Sequence, residues 1–121
     1  MLDHLIITVS DYAASKEFYE KALAPLDYQV VMHMDDSAGF GVMDKPDFFI
    51  KQGDRVEPAI HIAFTSRDRE TVDAFHAAAL AAGGKDNGPP GLRADYHPNY
   101  YGAFIIDPDG HNIEAVCHRP L

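Results

Sequence analysis

The feature that most constrains this chain is an internal duplication. The two halves align at an offset of 57 residues, and the windows 4–24 and 61–81 then share seven identities. These are the pairs His4/His61, Thr8/Thr65, Asp11/Asp68, Phe18/Phe75, Ala22/Ala79, Leu23/Leu80 and Ala24/Ala81. Alanine-rich helices match by chance, so the polar and aromatic pairs carry most of the evidence. We therefore predict two copies of one structural module.

Each half has a similar order of predicted elements. A strand at 2–9 precedes a helix capped by Ser10 or Asp11, and strands follow at 28–34, 40–43 and 48–51. In the second half, a strand at 58–65 precedes a helix capped by Asp68, and a glycine- and proline-rich loop at 87–91 leads to strands at 100–106 and 112–118. We predict an α+β fold with two tandem βαβββ modules, about 1–57 and 58–121, in one domain that spans 1–121.

Composition excludes several classes of function. The chain has 121 residues and a net charge of −9, which a nucleic-acid backbone would repel. No apolar run approaches the roughly 20 residues of a membrane helix, and no signal-peptide pattern opens the sequence. The single cysteine, Cys117, excludes an internal disulfide. We expect a cytoplasmic protein that binds neither nucleic acid nor membrane.

The duplication singles out three side chains that could bind a metal ion. His4 and His61 occupy equivalent positions in equivalent strands, and a pseudo-twofold axis would turn both imidazoles toward one cleft. Glu114 interrupts an apolar strand, where an unpaired carboxylate would be costly. Two imidazoles and a carboxylate form a set that binds divalent ions and leaves coordination positions open. The fourth equivalent position holds Phe49 or Lys51, so we predict three protein ligands.

Four segments resemble the vicinal oxygen chelate superfamily, which includes glyoxalase I, bleomycin-resistance proteins and extradiol dioxygenases. They are Asp3–Asp11, Phe18-Tyr19, Ile60–Phe64 and the closing Asp-Pro-Asp-Gly-His-Asn-Ile-Glu of residues 107–114. The resemblance implies paired βαβββ modules that form a half-barrel around a shared cleft. It places the metal ligands on His4, His61 and Glu114, and implies a homodimer acting on a small-molecule substrate. The ion could be Zn, Mn, Fe, Ni or Co.

A polar and aromatic stretch, residues 93–102, is predicted to line the mouth of the cleft. His97 and Tyr101 are candidates for proton transfer together with Glu114, since imidazole and phenol groups suit that role. Candidates for substrate binding are Tyr100, Phe49 and Arg93. Alternation along the strand puts Tyr100 and Tyr101 on opposite faces. We expect His76 and His111 to be exposed and Cys117 to be packed.

The sequence leaves three functions open. The first is a metal-dependent lyase or isomerase of the glyoxalase type, in which the ion acts as a Lewis acid. The second is a metal-free protein that sequesters an antibiotic or another ligand. The third is a thiol transferase that modifies an antibiotic. The presence of His4, His61 and Glu114 argues against the second, and the scarcity of Lys and Arg near the site argues against the third.

Overall fold

The computed structural model describes residues 2–54 and 59–121. The elements are β1 (Leu5–Val9), α1 (Tyr12–Ala22), a 3₁₀ turn (Ala24–Leu26), β2 (Gln29–His33), β3 (Ser37–Val42), β4 (Lys45–Gln52), β5 (His61–Thr65), α2 (Arg69–Ala81), β6 (Lys85–Leu92), β7 (Tyr101–Ile106) and β8 (Asn112–Cys117). The predicted module boundary at 57/58, and Pro58 at the predicted start of the fifth strand, lie outside the described residues.

The strands form two four-stranded sheets with matching topology. The N-terminal sheet has the order β1-β4-β3-β2 and the C-terminal sheet has the order β5-β8-β7-β6. In each sheet the first and last strands of the module pair in parallel and the other pairs are antiparallel. The prediction of an α+β fold built from tandem βαβββ modules is confirmed.

The two helices begin at repeat-related aspartates. The Asp11 carboxylate accepts a hydrogen bond from the backbone N–H of Ala14, and the Asp68 carboxylate accepts one from that of Thr71. Each bond satisfies a backbone donor that has no partner within the first turn of its helix. The duplicated sequence therefore encodes the same start signal twice, as predicted.

One strand was not predicted. Residues 85–92 form β6, which includes most of the stretch that glycine and proline content assigned to a loop. β6 is an edge strand, and its pairing with β7 shifts register between Asp86 and Gly88 and again between Gly88 and Gly91. Proline has no N–H to donate, and edge strands with bulges tolerate this. The glycines and prolines do make the backbone of residues 85–92 irregular, but these residues still form a strand because they pair with β7.

The two modules share one core beneath the sheets. Phe18, Phe40, Phe48, Phe75 and Ile113 are among its fully or almost fully buried side chains. Strand residues alternate between this core and an outer face, so that Ile7 and Val9 of β1 are buried whereas Ile6 is exposed. On β5, Phe64 is buried whereas His61, Ala63 and Thr65 are exposed. We call the side of each sheet away from the core its open face.

A buried polar junction ties the closing turn of the second module to the first module. The Asp107 carboxylate accepts hydrogen bonds from the Tyr19 hydroxyl and from the backbone N–H of His111. The imidazole of His111 accepts a bond from the backbone N–H of Ile60 through Nδ1, and its Nε2 lies 3.5 Å from the carbonyl oxygen of Thr8. His111 is only 3% exposed, so the expectation of an exposed histidine was wrong. Its backbone lies at the turn, but its side chain enters the junction.

His76 also departs from expectation, because its imidazole is mostly covered and hydrogen-bonds Asp86. Cys117 is buried, as predicted. Within residues 2–54 and 59–121, no helix is long and apolar enough to cross a membrane.

Candidate metal and substrate site

The open face of the C-terminal sheet brings His61 and Glu114 into direct contact. His61 begins β5, and Ala63 of β5 is the register partner of Glu114 on β8. His61 Nε2 lies 2.7 Å from Glu114 Oε1, and the Glu114 side chain is 1% exposed while that of His61 is about half exposed. A buried carboxylate thus lies behind an accessible imidazole.

The second carboxylate oxygen of Glu114 is held by Tyr100. The Tyr100 hydroxyl donates to Oε2, and burial together with this bond raises the tyrosine pKa well above its usual value of 10. Gly102 makes room for the pair, since a Cβ there would lie 3.1 Å from Tyr100 Cε1 and 3.4 Å from Glu114 Oε2. At neutral pH Tyr100 is therefore a fixed hydrogen-bond donor rather than a base.

Aromatic rings and imidazoles surround Tyr100. The Tyr96 ring lies 5.1 Å and the His118 ring 5.2 Å from it, each edge-on. The imidazole of His97 lies 5.4 Å from that of His118 and accepts a bond from the Asn99 N–H through Nδ1. His97 is thus connected to the site through His118, whereas Tyr100 contacts Glu114 directly.

Beside His61, the open face forms a shallow groove of about 550 Å³. Seven residues line it: His61, Asn87, Gly88, Arg93, Tyr96, Phe104 and Asn112. The Arg93 guanidinium lies over the Phe104 ring at 5.4 Å from its centroid and donates to the carbonyl of Pro89. Arg93, a candidate for substrate binding in the sequence analysis, thus lines the same groove as His61.

His4 lies on the other sheet. It immediately precedes β1, and its Nδ1 lies 2.8 Å from the Asp3 carboxylate, which also accepts a bond from Lys45. These two bonds lower the pKa of Asp3 to about 2. The Phe49 ring meets the imidazole of His4 edge-on at 5.5 Å, and Gly39 leaves the space that Phe49 occupies.

Within one chain, the predicted triad is only partly assembled. His61 and Glu114 meet, but no group of three His, Cys, Asp or Glu side chains within residues 2–54 and 59–121 is close enough to hold a metal ion. His4 instead borders a cavity of about 310 Å³ between the modules. A single copy of the chain thus supplies two of the three predicted ligands at one place.

Tyr101 points away from this site. Its hydroxyl donates to Asp73 on α2, and that bond together with burial raises its pKa. The guanidinium of Arg69 lies over its ring. The alternation of side chains from Tyr100 into β7 puts Tyr100 and Tyr101 on opposite faces, and this is sufficient to explain the difference.

Three residues near the site were missed. Asn112 is the register partner of His61, Phe104 is that of Glu114, and His118 packs on Tyr100. The period-2 alternation of β8 puts Asn112 and Glu114 on one face, and that of β7 puts Phe104 with Tyr100, so those two signals were in the sequence. The contact of His118 follows only from the path of the chain after β8.

Comparison with known proteins identifies the family. The family described as "Glyoxalase/Bleomycin resistance protein/Dioxygenase superfamily" matches residues 1–115. The chain belongs to this superfamily. The match covers both modules and includes His4, His61 and Glu114. A search of curated proteins found no match.

Solved structures of superfamily members agree with the fold. A glyoxalase/bleomycin resistance protein from Albidiferax ferrireducens T118 is 31% identical, with a TM-score of 0.81 and 99% of each chain covered. A glyoxalase-related enzyme from Fulvimarina pelagi is 18% identical, with a TM-score of 0.75, covering 97% of this chain and 87% of the other. The fosfomycin resistance protein FosX from Mesorhizobium loti is 21% identical, with a TM-score of 0.73, covering 98% and 92%. The last two support the fold alone.

The superfamily commonly binds a divalent ion, and the side chains on the open face fit one. Imidazole nitrogen and carboxylate oxygen are ordinary ligands of divalent transition metals. The Glu114 carboxylate has hydrogen-bond partners on both oxygens, so its orientation is fixed before any ion binds. The contact with His61 Nε2 needs a proton on one of the two groups, and an ion would displace that proton.

Proposed function

We propose that this protein is a metal-dependent enzyme of the glyoxalase type, a lyase or isomerase that acts on a small molecule with two neighbouring oxygens. Its divalent ion would be held by His61 and Glu114 of one chain and by His4 of a second copy in a homodimer. The observation that carries the proposal is the 2.7 Å contact between the accessible His61 imidazole and the buried Glu114 carboxylate.

A second copy is proposed because the hydrogen bond between His4 and Asp3 suits a metal-binding histidine, but His4 does not lie near His61 and Glu114 of its own chain. Metal-binding histidines usually hydrogen-bond a carboxylate through the ring nitrogen that does not bind the metal. The Asp3 carboxylate plays this part at Nδ1 of His4, which leaves Nε2 for an ion. Exposed apolar side chains at Ile6 and Met32, on the same sheet, favour burial of this surface against another chain.

The chemistry follows from the donors around Glu114. When bound, the ion would act as a Lewis acid on a substrate oxygen. Tyr100 keeps its proton at neutral pH and donates to one oxygen of Glu114, which fixes the orientation of the carboxylate behind His61. Glu114 is then the group placed to accept a proton from a substrate carbon next to a carbonyl. His97, beyond His118, is placed to exchange protons with solvent.

The first test is metal content. We expect about one divalent ion per chain in the wild type and much less in His4→Ala, His61→Ala and Glu114→Gln. His33→Ala is the matched control, because His33 is an exposed histidine of the N-terminal sheet outside the proposed site. Absence of metal from the wild type after reconstitution with Zn, Mn, Fe, Ni and Co would contradict the proposal and favour a metal-free ligand-binding protein.

A mixing experiment tests whether two copies share the site. His4→Ala and His61→Ala proteins are each expected to lack metal. When they are unfolded together and refolded, mixed dimers would contain one intact site and one that lacks both histidines. Recovery of metal toward half an ion per mixed-dimer chain supports a shared site. A site within one chain would not recover, because each chain still lacks one ligand.

Substrate screening then separates the remaining functions. Turnover of adducts between α-ketoaldehydes and thiols, lost in Glu114→Gln, would support the glyoxalase-type reaction. Thiol-dependent modification of an antibiotic would instead identify a transferase.

The buried Cys117 is compatible with the cytoplasmic location that we propose.

A further inference from the structure

We propose that the substrate carries an anionic group, a carboxylate, phosphate or phosphonate, and that Arg93 binds this group in the groove beside His61. One part of this inference rests on the proposed function: that the same substrate also binds the metal ion through two neighbouring oxygens. The binding of the anion by Arg93 does not depend on that function and is tested without a metal.

The backbone around Arg93 is shaped to hold its guanidinium. A Cβ at Gly91 would lie 3.0 Å from Nη1, and a Cβ at Gly88 would lie 3.2 Å from Nη2. The guanidinium therefore packs directly on main chain, with Phe104 under it and the Pro89 carbonyl on one side. A guanidinium has five N–H donors. The hydrogen bond to the Pro89 carbonyl uses one of them, whereas the contacts with the glycines and Phe104 use none. The remaining N–H donors are held in place and can pair with two oxygens of a carboxylate, phosphate or phosphonate.

The side chains that line the groove include no acidic residue, although the protein as a whole is strongly acidic. The chain has 19 acidic residues and 10 basic ones, yet the side chains that line the groove include a guanidinium, an imidazole, two amides and a phenol, and no carboxylate. Arg93 has no salt bridge to a carboxylate anywhere in residues 2–54 and 59–121. The neighbouring Asp86 is bonded to His76 and to the Gly88 N–H. A cation kept free of acidic partners beside a proposed reaction centre indicates an anionic ligand.

The spacing suits a small bifunctional molecule. The Phe104 ring centroid lies 5.4 Å from the guanidinium carbon and 6.0 Å from the His61 ring centroid. The guanidinium carbon and the centre of the His61 imidazole are therefore no more than about 11.4 Å apart. One molecule can place its two oxygens near His61 and its anionic group on Arg93 if a few bonds separate them. The substrate class is an oxygenated small acid or phosphorylated compound rather than a neutral aldehyde.

The test uses metal-free protein, so that an anion cannot bind a metal instead. Methylphosphonate, acetate and the neutral ester dimethyl methylphosphonate are titrated into ¹⁵N-labelled wild type, Arg93→Gln and Arg67→Gln proteins. Arg67 is the control, an exposed arginine paired with Asp27 and absent from the groove lining. We expect an anion to shift the amide signals of Gly88, Arg93 and Asn112, and Arg93→Gln to weaken binding at least about tenfold. Arg67→Gln should bind within about twofold of wild type.

The outcomes decide the inference separately from the proposed function. If only methylphosphonate binds, the group is a phosphonate or phosphate, and if acetate binds as well, a carboxylate suffices. Equal binding of the neutral ester, equal binding by Arg93→Gln, or no shift with either anion would overturn the inference. Anion binding through Arg93 in a protein that takes up no metal would retain the anion subsite and reject the enzyme proposal. Metal uptake without anion binding would support the metal-dependent enzyme and reject the anion subsite.

Discussion

Replacing Tyr100 by phenylalanine tests how the fold supports the Glu114 carboxylate. The substitution keeps the ring among Tyr96 and His118 but removes the hydroxyl that donates to Oε2. Glu114 is 1% exposed, and its other hydrogen-bond partner, His61, is bonded to Oε1, so Oε2 loses the donor that Tyr100 supplied in a largely buried position. The variant therefore isolates one hydrogen bond to a buried charged group.

The size of the effect follows from the burial of the two partners. A hydrogen bond to a charged group contributes about 1.5–3 kcal/mol, and leaving its acceptor buried and unpaired costs a similar amount. Tyr100 itself is only partly buried, which lets some water approach and favours the lower end, about 1.5 kcal/mol. For a domain of this length, that corresponds to a fall of about 6 °C in Tm.

The matched control is Tyr101→Phe, one residue further along. Its hydroxyl donates to Asp73 at the surface, so its loss should cost no more than about 0.5 kcal/mol, or about 2 °C. Thermal and urea unfolding of both variants and the wild type, in metal-free protein at pH 7, measures the difference. Equal destabilisation by the two substitutions would refute the argument that burial of Glu114 sets the cost.

The same bond predicts a pH dependence. Burial and Glu114 raise the Tyr100 pKa in the folded protein above its unfolded value of about 10. The folded state therefore holds this proton more tightly, and its contribution to stability is complete below about pH 10 and lost as the pH rises further. The stability difference between wild type and Tyr100→Phe should be constant from pH 7 to 9 and shrink above about pH 10. A difference that grows there would contradict the assignment.

Three further predictions concern the fold. In Gly41→Ala, the new Cβ would lie 1.8 Å from the Lys45 carbonyl oxygen, so β3 and β4 must separate; urea unfolding should show a loss above about 3 kcal/mol, and a loss below about 1 would contradict the packing. His111→Ala leaves the Ile60 N–H without its partner and opens a buried space, so it should cost about 2–3 kcal/mol; an unchanged urea midpoint would be inconsistent with the junction. The wild type should lose stability above about pH 10, since burial also raises the pKa of Tyr19, and a flat urea midpoint up to pH 11 would refute this.

Much of the fold was predictable because its signals are local and repeated. Asp11 and Asp68 cap their helices because a carboxylate just before a helix can accept from its first-turn N–H groups, whatever the rest of the chain does. The 57-residue offset repeats this signal together with a strand and an aromatic core position, Phe18 or Phe75. The turn formed by Asp-Pro-Asp-Gly at residues 107–110 and the strand that contains Glu114 were likewise predictable from short-range sequence patterns.

The candidate site was predictable where strand alternation decides it. At the start of β7 this alternation alone separates Tyr100, which precedes the strand and contacts Glu114, from Tyr101, which contacts Asp73. The contact between His61 and Glu114 needs more, because it depends on the parallel pairing of β5 with β8. The repeat relates this pair of strands to β1 and β4, which pair in the same way, but both pairings appear only in the structure.

Other features depended on the tertiary structure alone. Residues 85–92 become a strand through pairing with β7, and His111 is buried because the closing turn packs against β1 and Ile60. The repeat gave equivalent positions to His4 and His61, but it contained no information about whether equivalent positions of one chain meet. The relative placement of two modules is set by the core they share, in which side chains distant in sequence pack together. The sequence by itself thus determined the two modules and pointed to His4, His61 and Glu114 as candidate ligands. Only the packing of one module on the other decided that His4 lies apart from His61 and Glu114.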